Sequence, residues 1–392
     1  MTERVYLDWN ATTPPAPEVA AAMQTALRET WANPSSIHGF GRAARARVEA
    51  ARESIARLAG ADARDVVLTS GGTEANNLAL RSAFSDGGNV ERGGADAPGG
   101  RGADAPGSPV LVTSRLEHPS VTRVAEALER EGMARVRWVA VRPEGTIDLG
   151  DLARALMEGP VRLVAVQAVN AETGVVQPIA DVLAAAKAHG ALIHVDAVQA
   201  FGRTEEVARG ADTRSLAGHK MRGPKSMGAL IGRPGLRIAP VLVGGSQERG
   251  VRPGTIDPVA AAGLHAAAER AVNGPARWNA VALLRDALEH GLLRLYAKAR
   301  VNGRNAMRAP HVTNIAFPGW AGPELVAGLD LEGIAVSSGT ACSAGTAEPS
   351  PVLVAMGDRE AAACSVRFSL GEDTTREDID ATLAAVTRVF SR

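Results

Sequence analysis

The chain has 392 residues, 45% of them apolar and only 3% aromatic, with 43 basic and 43 acidic side chains. That length suggests two domains, and that composition allows a sizeable core of aliphatic and alanine side chains. A zero net charge gives no general hold on nucleic acid or an anionic membrane. The charged opening MTERVYLDWN is unlike a signal peptide, and no apolar run is long enough to cross a bilayer. Two cysteines 22 residues apart make neither a disulfide framework nor a zinc spacing, so a soluble cytoplasmic protein without metal is expected.

In chain order, helical periodicity over 42–59 leads to the aliphatic run VVLTS (66–70) and a helical pattern over 74–84. Between that strand and helix stands SGGTEANN, Ser70 to Asn77. Two glycines before a helix start allow close approach of a ligand to free N–H groups, as a phosphate requires. The same residues also read as an ordinary capped helix start, with Glu74 in the first turn. It is not a P-loop, because no Gly-Lys-Ser/Thr follows.

Residues 86–109, DGGNVERGGADAPGGRGADAPGSP, cannot bury enough apolar surface to offset chain entropy. They read as a flexible insertion of no assigned function. Strand-like runs and helices then alternate: VLVTS (110–114), a helix over 119–131 that follows His118, VRWVAV (136–141), a helix over 148–157, VRLVAVQAV (161–169), a helix over 178–189, ALIHVDA (191–197) and GALIG (228–232). Continuous aliphatic runs separated by helices predict an α/β domain with a mainly parallel sheet. After about residue 255 the texture changes to long helices at 258–272 and 277–298. Short strands near 312–317 and 335–337 and a final helix over 374–391 complete a smaller α+β domain.

Three further positions invite chemistry. Asp196 ends an apolar strand, where open α/β sheets bind ligands, or it makes a structural ion pair. Lys220, between Gly218-His219 and a Gly-Pro turn, reads as a surface lysine or as an amine held by structure and able to act as a nucleophile. Cys342 lies in AVSSGTACSAG, a bare run of small residues that could not bury a thiol, whereas Cys364 reads as a core residue. The order phosphate turn, His118, Asp196, Lys220 is what a pyridoxal phosphate site requires.

The stretches YLDWNATTP, NPSSIHGFG, TSGGTEANN, LEHPSV, ETGVVQPI, HVDAVQ, GHK and GPK, ERGVRPGT, VSSGTACSAGTAEPS and VRFSLG closely resemble the cysteine desulfurases of the NifS/IscS type. These are fold-type I pyridoxal phosphate enzymes of the class V aminotransferase group, and the resemblance covers nearly the whole chain outside 86–109. It implies an N-terminal segment, 1–15, packed with the small domain. A large domain, 16–255, would carry a mainly parallel seven-stranded sheet, and a small domain, 256–392, the mobile Cys loop at 335–349. It implies pyridoxal 5′-phosphate bound as a Schiff base on Lys220, with Asp196 on the pyridinium nitrogen, Gln199 on the ring hydroxyl and His118 over the ring. Gly72, Thr73 and His219 would bind phosphate, with Thr255 reaching it from the other subunit of a homodimer. Arg367, aided by Asn33, would hold the carboxylate of L-cysteine.

Cys342 would take the sulfur as a persulfide and pass it to an acceptor protein, such as an iron–sulfur scaffold, for cluster assembly or tRNA thiolation. Two positions depart from the pattern. Ala171 stands where the resemblance expects a second asparagine (VNAETG), and Ala217 where it expects serine (LAGHK). Each removes a polar contact to the cofactor. The alternatives are an aminotransferase or lyase of the same group, which needs no mobile thiol, and a cofactor-poor sulfur-transfer scaffold.

Overall fold

The computed structural model describes residues 4–85, 107–205, 208–339 and 349–391. Cys342 and all but Gly107–Pro109 of the Gly/Ala/Pro stretch lie outside them. The large body is built on a seven-stranded sheet of β2 (Val66–Thr69), β3 (Val110–Ser114), β4 (Arg135–Val139), β5 (Val161–Gln167), β6 (Leu192–Asp196), β7 (Thr213–Ala217) and β8 (Gly228–Gly232). Their spatial order is β2-β8-β7-β6-β5-β3-β4. All neighbours are parallel except those of β8, which is antiparallel to both β2 and β7. Every residue of β2, β3, β7 and β8 is buried, as expected for strands covered on both faces.

Helices α1 (Pro17–Glu29), α2 (Gly39–Ala59), α3 (Gly72–Phe84), α4 (Pro119–Arg130), α5 (Leu149–Met157), α6 (Ile179–Ala188) and α7 (Pro258–Ala271) cover this sheet. The α2–α7 contact is made by small side chains, among them Ala51, Ala260, Ala261 and Ala268. Packing α7 against α1 and α2 moves the boundary expected at 255/256: α7 shares the large body's core. The second core begins with α8 (Gly274–Leu295), which supplies Trp278 and Leu288.

That second body carries β10 (Val312–Ala316) between β9 (Arg300–Val301) and β12 (Ser365–Ser369), with α9 (Gly322–Leu331) and α12 (Arg376–Phe390). Most of the scarce aromatics gather here, including Trp9, Trp278, Phe317 and Phe368. The N-terminal strand β1 (Val5–Tyr6) pairs in parallel with β11 (Ile334–Ala335), and Asp8 bridges to Ser369. The chain therefore starts in the second body and crosses to the carboxyl ends of the large sheet's strands.

Candidate active site

Where β2, β3, β6 and β7 end, their connections line a cavity that is open to solvent and spans about 880 Å³ with its mouth. Open α/β sheets bind ligands at this edge. Eight of the residues singled out from sequence line it: Gly72, Thr73, His118, Asp196, Gln199, His219, Lys220 and Arg367.

The first wall is the start of α3. Gly71 occupies the N-cap position with φ 149° and contributes no side-chain cap. The glycine run is sterically required. A Cβ on Gly72 would come within 2.6 Å of Val198 Cγ2, and one on Gly228 within 2.6 Å of Gly71 Cα and 2.5 Å of the Leu216 carbonyl. The helix start is thereby drawn against the sheet with its dipole facing the cavity.

Asp196 closes β6. Its Oδ2 accepts from Asn76 Nδ2 (2.8 Å), and its Oδ1 from Val198 N (3.0 Å) and Ser215 Oγ (3.2 Å). All three donors are neutral, so this buried carboxylate has no hydrogen-bonded cation to balance it. Asn76 also donates to Ser120 Oγ (2.8 Å), and its Oδ1 lies 3.0 Å from His194 Nε2. Burial drives the His194 pKa down to about 4.

His118 is the N-cap of α4; its Nδ1 accepts from Ser120 N at 3.1 Å. A backbone N–H can only donate, so the proton of neutral His118 sits on Nε2. Burial lowers the pKa of this ring against the opposing charge of Asp196. His219 is pushed down to about 4, by burial first and then by Lys220 and Arg203.

Lys220 follows β7 in a tight turn. Its Nζ donates to the carbonyls of Asn10 and Ala11, the latter at 2.8 Å. Arg367, on β12, is 2% exposed on its side chain and donates to Asp8 Oδ1 (2.6 Å) and the Ala171 carbonyl (3.1 Å). Among the described residues its buried Nε has no partner.

Of the three remaining predicted residues, the two that are described are not brought to this cavity. Cys342 lies outside the described residues. Asn33 is exposed, and its Oδ1 accepts from Ser35 N at 2.8 Å. Thr255 is exposed, beyond a segment tied back by the buried Arg52–Glu248 pair and by Arg252–Glu74. The expectation that Asn33 helps hold substrate thus has no support within one chain. Asn170, the neighbour of Ala171, does not line the cavity. Its Oδ1 accepts from Glu172 N, Thr173 N and Thr173 Oγ1, and its amide donates to the Leu116 carbonyl.

Sequence reasoning passed over Asn10, Asn76, Ser120 and Gln167, which also line the cavity. Asn76 had a signal: it lies one helical turn after Gly72, on the same face. Asn10 had none, since its partners Ala171, Arg203 and His311 are distant in sequence.

The family model for class V aminotransferases matches residues 5–95 and 103–382. The chain belongs to the class V aminotransferase family. It is 42% identical, over 96% of its length and 93% of the relative's, to a cysteine desulfurase of Cereibacter sphaeroides. It is 36% identical to the cysteine desulfurase IscS of Dictyoglomus turgidum, over 100% and 96% of the two lengths. A NifS-like protein from Rickettsia africae superposes with TM-score 0.84 at 30% identity, covering 100% of both chains. Within the class V aminotransferases, this chain therefore falls among the cysteine desulfurases.

The residues present fit pyridoxal phosphate. A helix start without a side-chain cap suits the phosphate, a carboxylate held by neutral donors suits a protonated ring nitrogen, and a lysine lines the same cavity.

Proposed function

We propose that this class V aminotransferase is a pyridoxal-phosphate-dependent cysteine desulfurase. It converts L-cysteine to L-alanine and takes the sulfur onto Cys342 as a persulfide. The observation that carries the reading is the cavity in which Lys220, Asp196, the start of α3 and Arg367 converge.

Lys220 holds the cofactor covalently, Asp196 holds the proton on its ring nitrogen, and an N–H of Gln199 meets its ring oxygen. The backbone at Gly72 and Thr73, with His219, receives the phosphate. In a homodimer, Thr255 of a second copy completes that cradle. When bound, the cofactor supplies an electron sink for the α-carbon of the substrate. Arg367, which lines the cavity, offers the substrate carboxylate the N–H groups of its fork that Asp8 and the Ala171 carbonyl leave free. The Lys220 amine would take the proton from the α-carbon. His118, kept neutral by burial with its proton on Nε2, serves proton transfer beside it. The Cys342 thiolate attacks the substrate sulfur: the sulfur–sulfur bond forms as the carbon–sulfur bond breaks, the electron pair of the broken bond stays with the substrate carbon, and protonation of that carbon leads to alanine.

The acceptor is a protein of iron–sulfur assembly or tRNA thiolation in the cytoplasm. Among the described residues, no helix is long and apolar enough to cross a membrane.

Ala171 and Ala217 both line the cavity and favour a second reading, a sulfur-transfer scaffold that holds the cofactor weakly. Borohydride reduction of the chain with pyridoxal phosphate, followed by peptide mass analysis and alanine assay with L-cysteine, separates the two. The desulfurase reading expects a pyridoxyl group on Lys220 and alanine formation. An unmodified Lys220 and no alanine at saturating cofactor would overturn it.

A further inference from the structure

Behind Lys220 lies a guanidinium that, among the described residues, hydrogen-bonds no carboxylate; the charge of Glu372 favours it without a hydrogen bond. Arg203 is fully buried, and its hydrogen-bond partners are all neutral. Its Nε donates to the Lys220 carbonyl (3.0 Å) and its Nη2 to the Trp9 carbonyl (3.0 Å). Its Nη1 reaches Asn10 Oδ1 (2.8 Å), Gln199 Oε1 (2.5 Å) and His311 Nε2 (3.2 Å). The ring of Trp278 lies 5.0 Å from its central carbon. A buried cation without a hydrogen-bonded carboxylate is costly, and an apolar side chain could fill the same volume. What an apolar side chain could not do is hold three groups of the cavity wall at once.

Those three groups converge on the amine and the amide at the cavity. The first is the backbone of Lys220. The second is Asn10, whose carbonyl receives both Lys220 Nζ and Gln199 Nε2, the latter at 3.1 Å. The third is the Gln199 amide. Guanidinium only donates and a backbone carbonyl only accepts, so the amide has one consistent orientation. Its oxygen turns inward to Arg203. Its nitrogen turns to Asn10, leaving a second N–H for an acceptor in the cavity.

We propose that Arg203 is a positioning residue, which fixes Gln199 as a hydrogen-bond donor and sets the place of Lys220 and Asn10. Gln199 would otherwise be free to flip and present an oxygen to the ring oxygen of the cofactor. This rests on the proposed cofactor site.

The test titrates pyridoxal phosphate into the cofactor-stripped full-length chain. Affinity and the visible circular dichroism of the bound cofactor are measured for Arg203→Gln, Arg203→Lys, Gln199→Met and the Arg203→Gln/Gln199→Met pair. Arg203→Gln is expected to lose at least ten-fold in affinity and to change the dichroism. Arg203→Lys recovers most of both, because an ammonium can still donate to Asn10 and Gln199. The double variant is expected to fall short of the product of the single losses, since both remove one device. Should Arg203→Gln fail to fold, Arg203→Met, which removes the donors and the buried charge while keeping the length of the side chain, replaces it in the cycle, with the same expectation of non-additive loss.

A folded Arg203 variant with reduced thermal stability but unchanged affinity and dichroism would overturn the proposal, and so would multiplicative losses. A wild-type chain that takes up no cofactor would sink the site reading and this proposal together. Uptake by wild type with indifferent variants sinks the proposal alone.

Discussion

Replacing Glu117 by glutamine is expected to flatten the pH dependence of stability between pH 5 and pH 8. Glu117 precedes His118 and is buried, and one of its oxygens accepts from Ser114 Oγ at 2.8 Å. Burial pushes its carboxyl up to about 8 from 4.5, with the charge of Asp196 adding and the Ser114 bond opposing. A folded pKa above the unfolded one means that the native state keeps a proton the unfolded chain has lost. The stabilisation is full below pH 4.5 and falls as pH rises towards 8. At about 1.4 kcal/mol per pKa unit, a rise of roughly 3.5 units corresponds to something on the order of 5 kcal/mol. With an unfolding entropy of about 2 cal/mol/K per residue, that amounts to roughly 6 °C of melting temperature for a chain of this length.

Thermal melting of wild type and Glu117→Gln across this range is the assay. The variant should melt near wild type at pH 5 and gain about 6 °C relative to it by pH 8. A melting difference that stays constant with pH would refute the reasoning. Functionally, a neutral Glu117 leaves Asp196 as the charged carboxylate on the cavity wall.

Two substitutions probe the phosphate end. Ala217 is buried at the end of β7, with its Cβ 3.7 Å from where a Cβ on Gly72 would stand. Ala217→Ser adds a hydroxyl beside the helix start. A hydrogen bond to a charged group contributes about 1–3 kcal/mol, so cofactor affinity should rise by roughly 5- to 150-fold. Fluorescence titration of the cofactor-free chain measures it, and unchanged affinity would place the phosphate elsewhere. Gly72→Ala brings a methyl group against Val198 Cγ2 and should cost roughly 5- to 150-fold in cofactor affinity, as a 1–3 kcal/mol overpacking strain carried by the helix start implies. Equal affinity in the same titration would show that Val198 yields without moving the helix start.

The sheet was legible wherever its strands were aliphatic, because both faces are covered. The strand that escaped is β7, TRSLA. Its polar side chains look like a loop, yet Arg214 Nη1 donates to the Ala59 carbonyl and Ser215 Oγ bonds Asp196. Their hydrogen bonds are satisfied by tertiary partners that no local pattern announces. The strand β12 was hidden for the same reason: Arg367 within it pairs with Asp8 across most of the chain.

The helix α7 was read correctly as a helix but given to the wrong body. Its alanines suit any close helix contact, and only the structure shows them on α2. At the site, residues carried by a motif were legible. Asn10 and Arg203 were not, because they act by holding other groups and their spacing in sequence is unrelated to their contacts.

The most direct measurement mixes the purified chain with L-cysteine, pyridoxal phosphate and a reductant, and quantifies alanine and sulfide beside a Cys342→Ala control. The account predicts equal amounts of alanine and sulfide from wild type and neither from the control. No alanine at excess cofactor, or undiminished sulfide from Cys342→Ala, would contradict it.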